Sequence, residues 1–142
     1  MREILDATDD EVMQEIIDLL HHYAWCFDND NMTRLKTLFS DDAVVQSRVE
    51  GWGPWKGREA IGEGLGAVRL MHAKWRQHQL TTPLFTAIER DHATLKSYLS
   101  IFSSEAGQRL EVVATGELLA KVSRSDGHWK IDLLDVMLDS EI

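Results

Sequence analysis

Between Glu11 and Phe27 apolar side chains recur at helical spacing. Val12, Ile16, Leu20, Tyr23 and Phe27 form one line, and Met13, Ile17, Leu20 and Ala24 form the adjoining one. Such a stripe predicts an amphipathic helix with one buried face. Thr8, Asp9 and Asp10 are candidate caps for its start. One more step of four along the second line lands on Asp28, so a carboxylate stands at the edge of the buried stripe. It also stands at the helix C-terminus, where the macrodipole opposes negative charge by roughly 0.3–1 kcal/mol. Carboxylates whose charge is disfavoured in this way are disproportionately functional. The run Asp28–Asn31 (DNDN) also has a purely structural reading, as a helix stop and the cap of the next helix.

A short second helix is predicted from about Met32 to Phe39, with Leu35, Leu38 and Phe39 inward. Ser40-Asp41-Asp42 reads as a turn and Ala43–Val49 as a short strand. Gly51–Gly57 (GWGPWKG) is a glycine-rich loop carrying two tryptophans. A third helix is expected from Gly57 to about Trp75, with Ile61, Leu65, Val68 and Met71 or His72 on one face. Its Gly62, Gly64 and Gly66 each cost up to ~1 kcal/mol relative to alanine, unless they let the helix lie close to a sheet. From Gln77 the periodicity changes to two. Strands are expected near His78–Ile88, His92–Ser103, Arg109–Ser123 and His128–Leu138, with turns at Glu89–Asp91, Ser104–Gln108 and Arg124–Gly127. In the third of these, Leu110, Val112, Ala114, Leu118, Ala120 and Val122 alternate with Glu111, Thr115, Glu117 and Lys121.

Helices followed by long strands on short loops predict an α+β fold. The expected shape is a cone: three N-terminal helices packed on a strongly curved, mixed or antiparallel sheet, open at one end. The first helix should cross the concave face. Ile16, Leu20, Phe27, Leu38, Phe39, Val44, Ile61, Leu65, Leu118, Ala120, Ile131 and Leu133 are expected to be buried. At 142 residues the chain is long enough for one core, and residues 1–142 are expected to form a single domain.

Composition is that of a globular protein, with 44% hydrophobic and 27% charged residues. The net charge is −9, with seven acids in the first 18 residues against Arg2 alone. Asp132, Asp135, Asp139 and Glu141 close the chain. Such a balance argues against nucleic acid or an anionic membrane as partner, since both call for a basic face. Cys26 is the single cysteine, so neither an intrachain disulfide nor a thiolate metal cluster is expected. No basic, apolar leader opens the chain and no run approaches the ~20 apolar residues of a membrane span. A cytoplasmic protein is expected.

His78 begins a long strand and shares parity with Leu80, Thr82 and Leu84, which aims it at the core side. A histidine there is either packed and hydrogen-bonded or functional. With Asp28 beside it, the aspartate would accept from one ring nitrogen and leave the other as a general base. Tyr23, on the buried stripe, is either a satisfied core tyrosine or a hydrogen-bond donor to a substrate oxygen. Trp25, Trp52, Trp55 and Trp75 are candidates to line an apolar pocket, with plain packing as the alternative. Trp129 reads as the anchor of the last strand. His21 and His22 point about 100° apart on a helix and make a poor metal pair. No phosphate loop, dinucleotide fingerprint, HExxH or GxSxG occurs. A site free of metal and cofactor, working by acid–base chemistry, is expected.

The segments IIDLLHHYAWCFDNDNMTRLKTLFSDDAVV, KGREAIGEGL, RQHQLTTPLF and DGHWKI together resemble the SnoaL-like branch of the nuclear transport factor 2-like superfamily. The resemblance covers about residues 10–138. It implies the cone fold and leaves function open, because that scaffold hosts dehydratases, isomerases, cyclases, hydrolases and non-catalytic subunits. Scytalone dehydratase and hexachlorocyclohexane dehydrochlorinase pair a helix-end aspartate with a strand histidine, here Asp28 and His78. In that branch the histidine is the base and the aspartate orients it. The dehydrochlorinase has a lysine where this chain has Tyr23, which argues against dehalogenation. Ketosteroid isomerase has its oxyanion tyrosine at Tyr23, but its catalytic base falls at about Ser47 and its second oxyanion acid near Glu117.

These features lead to one principal expectation. The chain is a cofactor-independent lyase or isomerase acting on a small apolar cyclic or polyketide-like molecule. Asp28, His78 and Tyr23 carry the chemistry, and Trp25, Trp52, Trp55 and Glu117 contact the substrate. The alternative is a non-catalytic cone that binds a small ligand or a partner, like the β subunits of ring-hydroxylating dioxygenases. By the same resemblance the chain is expected to form a homo-oligomer, a dimer or trimer, through the outer face of the sheet. The loop carrying Trp52 and Trp55 is expected at the mouth of the cone.

Overall fold

The computed structural model describes residues 7–72, 75–105 and 109–139. The elements run α1 (Ala7–Asp28), α2 (Met32–Lys36), β1 (Phe39–Ser47), β2 (Trp55–Lys56), α3 (Arg58–Met71), β3 (Trp75–Ile88), β4 (His92–Ser104), β5 (Glu111–Ser125) and β6 (His128–Leu138). Arg2, Glu141, residues 106–108 of the expected Ser104–Gln108 turn and residues 73–74 at the expected end of α3 lie outside the described residues. Asp9 and Asp10 sit in the first turn of α1, within the helix, where their charge still complements the dipole.

Six strands form one sheet in the order β2-β1-β6-β5-β4-β3. β3 to β6 are an antiparallel meander, and β1 joins β6 in parallel, so the curved sheet is mixed. Helix α1 packs against both β6 and β3, strands separated by β5 and β4, and therefore spans the concave face. Phe39, Ile16, Leu35, Ile61, Leu65, Leu95, Leu118, Ile131 and Leu134 are fully buried between helices and sheet. This is the α+β cone.

Departures from simple alternation trace to bulges, each of which shifts which residues face the core. In β6, Val122 pairs with Ile131 and Lys121 with Leu133, so Asp132 is an extra residue. Leu134 and Val136 then face the core, and Leu133, expected inside, is only half-buried. In β1, five steps from Phe39 to Val44 oppose two in β6. The excess covers the expected Ser40-Asp42 turn and is held by Arg58, which donates to Phe39 O and pairs with Asp41 at 2.8 Å each. Ala43 and Val45 face inward as a result, and Val44 is half-buried. In β5 the register skips Val113, placing Leu110 and Val112 on the outside at 53% and 58% exposure. In β3 a break between Thr81 and Leu84, with Thr82 at a φ of 55°, keeps His78 and Leu80 inward and turns Leu84 out.

Of the glycines of α3, Gly62 and Gly66 face α2, and Gly64 faces Trp55 of the edge strand β2. A Cβ on Gly64 would enter the Trp55 indole, and one on Gly62 would come within 2.6 Å of the Lys36 side chain. Close approach of these parts requires the missing side chains.

Candidate active site

The DNDN run divides its labour. Asn29 donates from its side chain to Trp25 O at 2.8 Å, and Asp30 takes a left-handed φ of 55°. Asn31 accepts from Arg34 N at 3.2 Å and caps α2. These three end one helix and start the next. Asp28 is left for another contact.

That contact is His78. The Asp28 carboxylate lies 2.5 Å from His78 Nδ1 and accepts the His78 backbone N–H at 3.0 and 3.2 Å. The helix end thus binds both the main chain and the side chain of β3, across 50 residues of sequence. Side-chain exposure is 8% for the histidine and 15% for the aspartate, which makes the pair far stronger than a surface contact. A carboxylate at Nδ1 favours the tautomer with its proton there. His78 Nε2 has no partner among the described residues, and His78 lines two cavities. The ring stacks on Phe27, with centroids 4.7 Å apart, which fixes its plane.

Two cavities meet at this histidine. The inner one, about 300 Å³, lies within the cone, is partly open and mostly apolar, with Tyr23, Phe27, Trp52, Leu99, Leu118 and Val136 in its wall. The outer one, about 660 Å³, is a groove between the end of α1 and β3, with Trp25, Asp28, Arg69, Trp75 and Gln77 along it. Arg76, His78 and Leu80 border both.

Tyr23 is buried in the inner wall, edge-on to Phe39 and tilted against Phe27. Burial, and then the charge of Asp28, push its phenol pKa well above the usual value, so it holds its proton. Its hydroxyl has no hydrogen-bond partner among the described residues. Trp52 reaches the inner cavity, while Trp55, 4.9 Å away by ring centroid, lies over Gly64 instead. Trp25 is 70% exposed on the outer groove. Glu117 points outward, opposite to the cavity-lining Leu118. Asp28, His78, Tyr23 and Trp52 therefore come together, and Trp25, Trp55 and Glu117 stand apart from the inner cavity.

Three residues escaped the sequence analysis as site candidates. His72, just past α3, lies 5.8 Å from the His78 ring and has a buried Nδ1 without a partner. Burial, then Arg76, His78 and Arg69, lower its pKa to about 3, so it is neutral. Arg76 shares strand parity with His78 and Leu80, a signal present in RQHQL. Arg69 donates from Nε to Asp28 O at 3.0 Å, satisfying a terminal carbonyl of α1.

Comparison with known proteins matches residues 10–135 to the SnoaL-like domain. The chain belongs to the SnoaL-like domain family. Its fold is cystatin-like and resembles that of a nuclear transport factor 2-like protein from Novosphingobium aromaticivorans. A search of the curated proteins finds no match. Among solved structures, a candidate scytalone dehydratase from Novosphingobium aromaticivorans is 19% identical, with a TM-score of 0.79 over 95% of this chain and 91% of that one. The β subunit of a candidate aromatic-ring-hydroxylating dioxygenase from the same organism is 17% identical, with a TM-score of 0.78 over 95% and 94%. A Catenulispora acidiphila protein in complex with S-DNPA is 19% identical, with a TM-score of 0.80 over 92% and 95%. At these identities the likeness is one of fold. Among the described residues, no helix is long and apolar enough to cross a membrane, and no group of three His, Cys, Asp or Glu is placed to hold a metal.

Proposed function

We propose that this SnoaL-like domain is a lyase or isomerase of the dehydratase type, acting by general acid–base catalysis on a small ring compound. The observation that carries the reading is the 2.5 Å contact of Asp28 with His78 Nδ1 at the wall of an apolar cavity, with Nε2 unpartnered among the described residues. His78 Nε2 takes a proton from a carbon beside a carbonyl. The electron pair left behind moves onto the carbonyl oxygen or expels a leaving group. The same imidazolium then returns the proton, to the departing oxygen in an elimination or to another carbon in an isomerisation. Asp28 orients the ring and stabilises its charged form, and Tyr23 donates to the substrate oxygen. Acid–base catalysis of this kind contributes about 10²–10⁴-fold. A volume of about 300 Å³ suits one ring or two fused rings.

The test works with a substrate class alone. A panel of cyclic ketones and hydroxylated aromatic ketones is incubated in deuterated buffer, and exchange at carbons next to the carbonyl is followed by NMR. The proposal expects exchange with at least one ring compound, lost in His78→Gln. Exchange that His78→Gln leaves intact, or none across the panel, refutes it.

A second reading rests on the outer face of the sheet, where Leu84, Tyr98 and Val112 are more than half exposed. Apolar residues gathered on one face favour association. Under this reading the domain is a partner-binding cone that assembles with itself and carries out no turnover. Sedimentation of the parent against Tyr98→Glu tests the assembly: a monomeric parent removes this support.

A further inference from the structure

Arg76 stands where the inner cavity meets the outer groove. Its Nε is buried, and its guanidinium has no hydrogen-bond or ion-pair partner among the described residues. Arg69 brings a second positive charge to the same groove. The acid acting on Arg76 is Asp28, whose carboxylate is already engaged by the backbone and ring of His78. Burial first, and then Arg69, lower the pKa of Arg76, as expected of a cation short of a counter-charge. Partly desolvated cations without a carboxylate are costly to a fold unless something outside supplies the anion.

We propose that Arg76, backed by Arg69, binds the anionic group of the ligand, so that this protein takes a planar ring acid. The carboxylate sits at the junction of groove and cavity, within reach of a guanidinium fork suited to it. The ring then enters the apolar cavity beside His78. Trp25 and Trp75, 70% and 49% exposed, flank the groove by which the acid arrives. This names the substrate class of the site proposed above and rests on that reading for the position of the ring.

Benzoate and naphthoate, with benzamide and naphthamide as neutral isosteres, are titrated into the full chain and followed by intrinsic fluorescence and NMR. The acids should bind about 10- to 100-fold more tightly than the amides, the range of a charge-assisted contact. Arg76→Gln should abolish that preference, and Arg76→Lys should restore part of it. Should Arg76→Gln fail to fold, the arginine side-chain resonances of the parent must still move on adding naphthoate. Amides binding as tightly as acids, a preference that survives Arg76→Gln, or no binding of either acid overturns the inference. Acid binding without any deuterium exchange would sink the catalytic reading and leave this one standing.

Discussion

Replacing Gly64 by alanine tests how the tryptophan loop is built. A Cβ on Gly64 would overlap Cε2, Cδ2 and Nε1 of Trp55, and that indole also packs against Trp52, with ring centroids 4.9 Å apart. Overpacking of this kind costs about 1–3 kcal/mol. Alanine returns about 0.8–1 kcal/mol through helix propensity. The net effect should be a loss of up to about 2 kcal/mol. Gly66 is the control: a Cβ there meets Met32 Cγ at an ordinary 3.6 Å, so Gly66→Ala should gain most of the propensity. The two variants should therefore differ by about 1–3 kcal/mol, or several degrees in melting temperature. In a Trp55→Ala background the clash is gone and Gly64→Ala should become stabilising, a non-additivity expected of residues in contact. Thermal melts of these variants and the parent suffice. Gly64→Ala matching Gly66→Ala would show that Trp55 does not lie against α3 and that the loop is open.

Three more predictions concern the site itself. Asp28→Ala leaves the His78 N–H without its acceptor and should cost about 1–3 kcal/mol in urea unfolding, with Asp28→Asn costing less because its amide oxygen still accepts. Parental stability in the alanine variant would show that this bond does not tie α1 to β3. The lowered pKa of His72 gives a pH dependence of definite sign. Below the ordinary value of 6.5 the unfolded ring binds a proton that the folded ring refuses down to about 3, so stability falls as pH drops through that window. The slope is at most about 1.4 kcal/mol per pH unit, reduced by solvent screening, and should shrink in His72→Phe. An unchanged slope in that variant refutes the assignment. Finally, a bound naphthoate should quench Trp52 but not Trp55, so Trp52→Phe should abolish most of the fluorescence response and Trp55→Phe should preserve it.

The legible parts of the sequence were those set by local chemistry. The α1 stripe, the caps at Asn29–Asn31 and the period-two strands each depend on neighbours in the chain, and β6 falls at the expected bounds. Asp28 was legible because it interrupts the apolar stripe at the end of α1, whereas its pairing with His78, the fourth residue of β3, came from the family resemblance. The faces of Val44, Leu133, Leu110 and Val112 were not, because bulges depend on cross-strand register. Trp25 and Glu117 followed from composition and resemblance, which carry no direction for a side chain. Arg76 and His72 matter only through what they lack, and a missing partner is visible only once the chain is folded.

The central claim is that Asp28 sets the proton on His78. Nitrogen NMR of the histidine side chains reads this directly, without substrate. The neutral His78 ring should carry its proton on Nδ1 in the parent, leaving Nε2 bare. In Asp28→Asn, where the amide can donate to Nδ1, the proton should move to Nε2. A parent ring already protonated at Nε2, or a tautomer indifferent to Asp28→Asn, would contradict the account.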